Sequence, residues 1–330
     1  MGLFNHNLNF SKEEPSIKGF QEIIISVYNL EREVAFFQRI CGWEIVSRSK
    51  GNSAIKQLWH LDDAVKIEEV LLHNPGDNTG FLRLVKFSNV EQRQIRSGTQ
   101  IWDSGGIFDV NIRVKSIADM YRIFQNEGWN GYTDPNRFTF GKFDVSEVLM
   151  KGPDGVTFAM MQRFDPPLEG FAFEKVSRIF NSTTICMDYK KTRDFFINTL
   201  GFQLYFETEG TNRSNGPNVI GIPPNINSDV TVPVCILHPT GKNEGSLELL
   251  QTVELKGKDC AEFAKPPNLG ILMYRFPVRD AEAYATTLKE KGLALNSDVQ
   301  TVTVLPYGNL KVFSVRSPDG VWLEFIELLN

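Results

Sequence analysis

Ile23-Ile24-Ile25-Ser26-Val27-Tyr28-Asn29-Leu30-Glu31, continued by Val34, Phe36, Phe37 and Ile40 and closed by Gly42-Trp43, is the passage on which the fold turns. The β-branched run reads as a buried strand. Asn29 marks a helix entry, because its side chain can accept a backbone N–H left free in the first turn. The apolar residues after it recur at helical spacing. Gly42 supplies the left-handed residue that ends a helix, and Trp43-Glu44-Ile45-Val46 resumes as a strand.

The same order returns at Thr184-Ile185-Cys186-Met187-Asp188, through Phe195, Phe196 and Leu200 to Gly201 and then Phe202-Gln203-Leu204-Tyr205. Gly42 and Gly201 lie 159 residues apart. A second variant runs from Phe108-Asp109-Val110-Asn111-Ile112-Arg113-Val114, through Met120, Tyr121 and Phe124, to Gly128. Its counterpart starts at Met273-Tyr274-Arg275-Phe276 and stops at Gly292, 164 residues beyond Gly128. The turns Gly152-Pro153-Asp154-Gly155 and Ser317-Pro318-Asp319-Gly320 are offset by 165 residues, as are Gly80-Phe81-Leu82-Arg83-Leu84 and Gly245-Ser246-Leu247-Glu248-Leu249. The chain is therefore an A-B-A′-B′ repeat of strand–helix–strands units.

The offset grows inside the third unit, near Gly210–Asp229. That stretch is rich in Asn, Gly and Pro, and it reads as a loop over a cleft mouth. At about 150 residues per domain, 330 residues predict two domains. The expected division is an N-terminal tail at 1–17, a first domain at 18–164 with modules at 18–97 and 98–164, a linker at 165–175, and a second domain at 176–330 with modules at 176–264 and 265–330.

The formal charge is −5, and 42% of residues are hydrophobic. This composition excludes a disordered chain. No basic block favours nucleic acid, and no apolar run suits a membrane. The start of the chain carries no signal-peptide pattern. Cys41, Cys186, Cys235 and Cys260 form no C-x-x-C pair. They read as buried free thiols of a cytoplasmic protein.

Four βαβββ units paired into two domains resemble the vicinal oxygen chelate superfamily, which includes glyoxalase I, extradiol dioxygenases, fosfomycin-resistance enzymes and bleomycin-binding proteins. The resemblance spans about residues 18–329 and rests on the helix-end phrases Arg39-Ile40-Cys41-Gly42-Trp43 and Asn198-Thr199-Leu200-Gly201-Phe202 and on the two Pro-Asp-Gly turns. It implies an α+β fold with two glyoxalase-like domains. Each is a curled mixed sheet around a cleft, with helices outside.

In this family metal ligands sit on the first and last strands of a unit. Strand alternation and counting from the turns place Glu22, Arg83, Asp109 and Ala159 at those slots in the first half, and Asn181, Glu248, Met273 and Glu324 in the second. No imidazole is among them. Glu248 and Glu324 read as an acid/base pair, or as weak oxygen ligands of a hard cation. His60, on an expected strand facing the first cleft, is a third catalytic candidate. Glu22, Arg83, Asp109, Asn111, Arg113, Asn181, Met273, Arg275 and Trp322 are candidate substrate-binding residues. Phe140, Phe143 and Phe158 add to an aromatic lining expected near the clefts. His73 and His238 read as repeated hairpin-turn residues. Trp102-Asp103-Ser104-Gly105-Gly106 reads as a connector whose glycines permit close backbone approach.

The expected function is a protein that binds a small organic molecule, with aromatic ones among the candidates, in a domain cleft without the usual His-based metal site. The alternatives are a metal-dependent lyase, isomerase or dioxygenase with a carboxylate-rich site, and a protein that keeps the fold without a working site. No cofactor is expected, and a divalent metal stays open. Four units in one chain make a monomer sufficient, with a homodimer possible.

Overall fold

The computed structural model describes residues 3–211 and 213–329. The first module supplies β1 (Glu22–Ser26), α1 (Leu30–Phe36), β2 (Glu44–Lys50), α2 (Ser53–Leu58), β3 (Lys66–His73) and β4 (Phe81–Ser88). The second supplies β5 (Ile107–Val114), α3 (Ile117–Asn126), β6 (Asn130–Gly131), β7 (Asn136–Phe140), β8 (Phe143–Lys151) and β9 (Thr157–Asp165). The third holds β10 (Val176–Ile185), α4 (Tyr189–Asp194), β11 (Gln203–Thr208), β12 (Val234–His238) and β13 (Ser246–Leu250). The fourth holds β14 (Gly270–Pro277), α5 (Ala281–Glu290), β15 (Ser297–Val304), β16 (Gly308–Arg316) and β17 (Trp322–Leu328).

Each module's helix follows its first strand through the same junction. Asn29, Ser116, Asp188 and Asp280 leave the strand in an extended conformation, and their side chains accept the N–H three residues on. That bond satisfies an orphan donor of the first turn. Gly42 (φ +75°) and Gly201 (φ +80°) then turn the chain back, in a region where a Cβ would be strained.

The strands form two curled mixed sheets, ordered β15-β16-β17-β14-β1-β4-β3-β2 and β11-β12-β13-β10-β5-β9-β8-β6, with β7 pairing β8. This corrects the expected division into residues 18–164 and 176–330. The first module shares a sheet with the fourth, and the second with the third. The joins are the antiparallel pairs β1·β14 and β5·β10. Repeats in a sequence define the modules, but the choice of which strand edges meet is a tertiary one. Consecutive modules pack through their helical layers instead. Phe36 of α1 lies 5.1 Å from Phe124 of α3, and the Tyr284 hydroxyl of α5 donates to the Leu200 carbonyl at 2.8 Å. The two sheets back onto one another, with the Ser182 hydroxyl 2.8 Å from that of Tyr274.

The Pro-Asp-Gly turns tie these neighbours together. Asp154 accepts the Tyr28 N–H at 2.9 Å, and Asp319 accepts the Met187 N–H at 2.8 Å and the Thr192 hydroxyl at 2.5 Å. Asp319 is buried. Asp319→Ala is expected to cost about 2–3 kcal/mol, because the buried Thr192 hydroxyl and the part-buried Met187 N–H lose a charged acceptor; urea unfolding measures it.

Of the expected tail at 1–17, residues 1 and 2 lie outside the described residues, and the rest packs into the first half-barrel. Leu8 is buried with Ile24, Phe81 and Met273, and Phe4 packs edge-on to His73 at 5.3 Å. Between β9 and β10 the chain is irregular, where the linker was expected. Among the described residues, no helix is long and apolar enough to cross a membrane.

Candidate functional site

Residues with even and odd parity divide cleanly between the faces of each sheet. Ile23, Ile25, Val110 and Ile112 enter the core between the sheets, while Ile24 and Met273 face the hollow of the first sheet. The family's slots therefore lie on the concave faces, but the module pairing sorts them differently from the sequence expectation.

In the first half-barrel, Glu22, Arg275 and Glu324 are direct cross-strand partners on β1, β14 and β17. Arg83 on β4 completes a row of alternating charge. Its guanidinium grips Glu22 at 2.7 and 3.0 Å and reaches Glu69 at 3.1 Å. Arg275 donates to Glu324 at 2.6 Å and Glu22 at 2.7 Å. The Tyr307 hydroxyl donates to Glu22 at 2.7 Å, and the Trp59 indole to Glu324 at 2.6 Å. Glu22, Arg83, Arg275 and Glu324 are all 0% exposed. Burial opposes ionisation of Glu22, yet the Arg83 and Arg275 guanidinia outweigh it and hold its carboxyl at about 2. The remaining hollow is filled by Leu8, Leu58, Trp59, Met273, Tyr307 and Trp322. Six candidates, Glu22, Arg83, Met273, Arg275, Trp322 and Glu324, are thus closed off from solvent and face one another rather than an open cleft.

His60 also departs from expectation. It follows α2 instead of lying on a strand, with φ +54°, and it is exposed. Its Nε2 lies 2.9 Å from the Asn296 carbonyl and 3.0 Å from the Ser297 hydroxyl, so it closes the rim where α2 meets β15. His73 and His238 stand at the ends of β3 and β12. His238 is buried, which lowers it to about 4.

The second half-barrel has the same frame with different contents. Asn181, Asn111 and Ala159 occupy the cross-strand row that Glu22, Arg275 and Glu324 hold in the first. Asn111 Nδ2 donates to Asn181 Oδ1 at 3.0 Å, to Thr183 Oγ1 at 3.2 Å and to Asp109 Oδ1 at 3.1 Å. Asn181 in turn donates to Ser246 Oγ at 2.6 Å. Glu248 pairs across from Thr183, so it faces the same hollow. Glu147 of β8 shares this face by alternation with Leu149. Phe140 of β7 and Phe206 of β11 meet with centroids 4.4 Å apart, so opposite margins of the sheet curl together above it.

None of Asp109, Glu147 and Glu248 makes an ion pair among the described residues. Burial pushes the Asp109 carboxyl up to about 7. Burial and then the Asp109 charge push Glu248 up to about 8. Burial and then repulsion from Glu248 and Asp109 push Glu147 up to about 8. Glu147 and Glu248 are only half-buried although they face inward. Water-accessible space therefore reaches them.

Glu248 and Glu324, expected as a pair, stand in different sheets and do not act together. Arg113 is buried, bonded to Glu244, and lies 3.7 Å from the Phe180 ring centroid. Phe158 belongs to the core between the sheets rather than to a cleft. Gly105 and Gly106 make their close approach to Ala261 and Ala264 of the chain's own second connector. Glu147, Trp59, Glu69 and Tyr307 escaped the sequence reading. Glu147 sits on a penultimate strand, outside the slots counted from the turns; its alternation with Val145 and Leu149 is the signal that could have found it.

Comparison with solved structures follows from this geometry. Glyoxalase I from Zea mays is similar over 94% of this chain and 92% of its own, at 14% identity and a TM-score of 0.60. A candidate dioxygenase from Bacillus subtilis is similar over 96% of this chain and 87% of its own, at 12% identity and a TM-score of 0.60. The chain has the vicinal oxygen chelate fold. No protein-family model and no curated protein matches the sequence. Likeness at this identity is a likeness of fold, and a fold does not carry a function with it.

The vicinal oxygen chelate fold implies a metal, and the slots here do not suit one. In the first half-barrel the inward row Glu22, Arg83, Arg275 and Glu324 holds two guanidinia, which have no acceptor, and these pair with the two carboxylates. In the second, Ala159 offers no donor and the two amides bond one another. Among the described residues, no group of three His, Cys, Asp or Glu side chains is arranged to hold a metal ion.

Proposed function

We propose that this vicinal oxygen chelate protein binds a small organic molecule in the half-barrel of its second and third modules, without a His-based metal site. One observation carries the reading. Two equivalent hollows differ in that the first neutralises its own charges, while the second leaves Asp109, Glu147 and Glu248 without an ion pair among the described residues, the buried Arg96 guanidinium offsetting only part of the burial of Asp109. Unpaired carboxyls inside a protein are costly unless something compensates them. A ligand that offers hydrogen-bond donors or a positive charge would do so. Phe138 and Phe140 share the sheet face of Glu147, and Phe206 shares that of Glu248 through Ile236; these rings suit an aromatic body. The first half-barrel is assigned a structural role.

The test is calorimetric titration with a panel of arylalkyl amines, whose amino groups are cationic at neutral pH, and matched neutral aryl compounds. Saturable binding of an amine, weakened about tenfold by Glu248→Gln, is expected, since a charge-assisted hydrogen bond contributes about 1.5–3 kcal/mol. Binding that instead responds to Trp322→Phe but not to Glu248→Gln sinks the assignment. One chain completes both half-barrels, so a monomer suffices for this function. Four buried free thiols support a cytoplasmic setting.

A further inference from the structure

Residues 213–230 lie between β11 and β12 and belong to the insertion that lengthens the third module. The segment is braced from within. Asn218 Nδ2 donates to the Ile222 carbonyl at 2.6 Å, and Asn218 Oδ1 accepts the Ile222 N–H at 3.0 Å. Arg213 donates to Asn227 Oδ1 at 2.6 Å, Asn227 to the Ser214 carbonyl at 2.7 Å, and the Ser228 N–H to Asn215 Oδ1 at 2.9 Å. The Gly216 N–H reaches the Pro224 carbonyl at 2.9 Å. Asn218 and Asn227 are buried within the segment.

Its attachment to the rest of the molecule is of another kind. Among the described residues, one hydrogen bond links it to the body, from Thr133 Oγ1 to the Val219 carbonyl at 3.5 Å. The remaining hold is apolar. Ile222 and Val230 are buried with Phe108, Leu149, Ala159, Ile185 and Leu250, at one end of the second hollow. Ala159 is the slot at which the first half-barrel carries Glu324. At the base of the segment Gly210 (φ +63°) touches Val232, whose N–H donates to the Gly210 carbonyl at 3.2 Å. Thr231 is fixed to the body there, its N–H and hydroxyl donating to Glu254 at 2.6 and 3.0 Å and its carbonyl accepting the Val253 N–H at 3.0 Å, so the segment moves on the far side of Thr231. The segment thus has a narrow neck, a rigid interior and an apolar underside.

From this arrangement we infer that residues 213–230 form a lid that swings as one body about the Gly210–Val232 neck and controls entry to Asp109, Glu147 and Glu248. A segment braced by its own hydrogen bonds and tied to the body by a single one separates from its seat before it unravels. The inference rests on the second hollow being the binding site, and it concerns access rather than ligand.

A reversible lock tests it without any ligand. A Cβ built at Gly221 would lie 3.6 Å from that of Tyr132, within disulfide reach; Gly221 has φ +78°, where a side chain is strained, so Gly221→Ala is labelled alongside and must leave the parent rates unchanged within about twofold. The full-length Tyr132→Cys/Gly221→Cys protein is labelled at carboxyls with a carbodiimide and glycine ethyl ester, and read by mass spectrometry. Asp109 and Glu248 are expected to label at least about tenfold more slowly when the disulfide is formed than after reduction, with exposed Glu44 unchanged. Ile222→Ala/Val230→Ala, made separately, is expected to speed the same two sites about tenfold. Equal rates in the oxidised and reduced protein, or no effect of the alanine pair, overturn the lid. If the lock works but no arylalkyl amine binds, the ligand reading fails and the lid stands. If an amine binds the oxidised and reduced proteins equally fast, the lid fails and the ligand reading stands.

Discussion

Arg275→Met is expected to lower the stability of the chain by about 3–5 kcal/mol, the range found when one partner of a buried ion pair is removed. Arg275 lies between Glu22 and Glu324, which are 0% exposed and hydrogen-bonded to it. Methionine fills the volume but leaves Glu324 with no cation and Glu22 with Arg83 alone, both away from water. Their remaining partners are Arg83, Tyr307 and Trp59. Arg275→Met/Glu324→Leu is expected to lose less than Arg275→Met alone, because the second change removes one of the stranded charges. Urea unfolding of the three proteins at pH 7 gives both differences. A single variant within about 1 kcal/mol of the parent would mean that the row of alternating charge adds little to the fold.

Stability is expected to fall as pH rises from 6.5 to 8. The responsible groups are Asp109, raised to about 7, and Glu147 and Glu248, each raised to about 8. Glu33, raised to about 7 by burial, acts in the same direction. In the unfolded chain these carboxyls have released their protons by pH 6.5, while the folded chain still holds them. The folded state therefore binds more protons across this window, and each rise in pH favours unfolding. The groups interact, so their effects do not add, and the expected total is about 2–5 kcal/mol. Glu248→Gln is expected to flatten the slope, by removing one titrating group and the repulsion it exerts on Glu147. His238, lowered to about 4, and Glu22, held at about 2, contribute stability that is lost on the acid side, outside this window. Chemical unfolding at pH 6.5, 7.25 and 8 checks the slope; a flat or rising profile would remove the case for unpaired carboxyls in the second hollow.

Much of this was legible before any coordinates. The helix entry at Asn29 and the closing glycines are local chemistry, so the four modules could be read from short phrases; the matching caps at Ser116, Asp188 and Asp280 appeared only in the structure. Strand parity is local too, and it placed Glu22, Arg83, Asn111, Asn181, Glu248 and Glu324 on concave faces. The outcome at those positions was not legible. Arg83 and Arg275 read equally well as anchors for a substrate and as partners for Glu22 and Glu324. Distance decided between them: Arg83 reaches Glu22 across β1 and β4 of one module and Arg275 reaches Glu324 across β14 and β17 of another, while Arg275 reaches Glu22 because β1 meets β14.

By itself, then, the sequence determined the repeating unit, the helix entry and turns that bound it, the side of each strand that faces inward, and the lack of imidazole at the inward slots. Those are properties of neighbours in the chain, set by backbone geometry and the period of two along a strand. Only the tertiary structure decided that the first module pairs with the fourth, that one hollow is filled by its own ion pairs and the other holds uncompensated carboxyls, and that Glu147 joins Asp109 and Glu248. Each of these depends on residues far apart in sequence being brought within a few ångströms, where charge and desolvation act, and no local pattern encodes that approach.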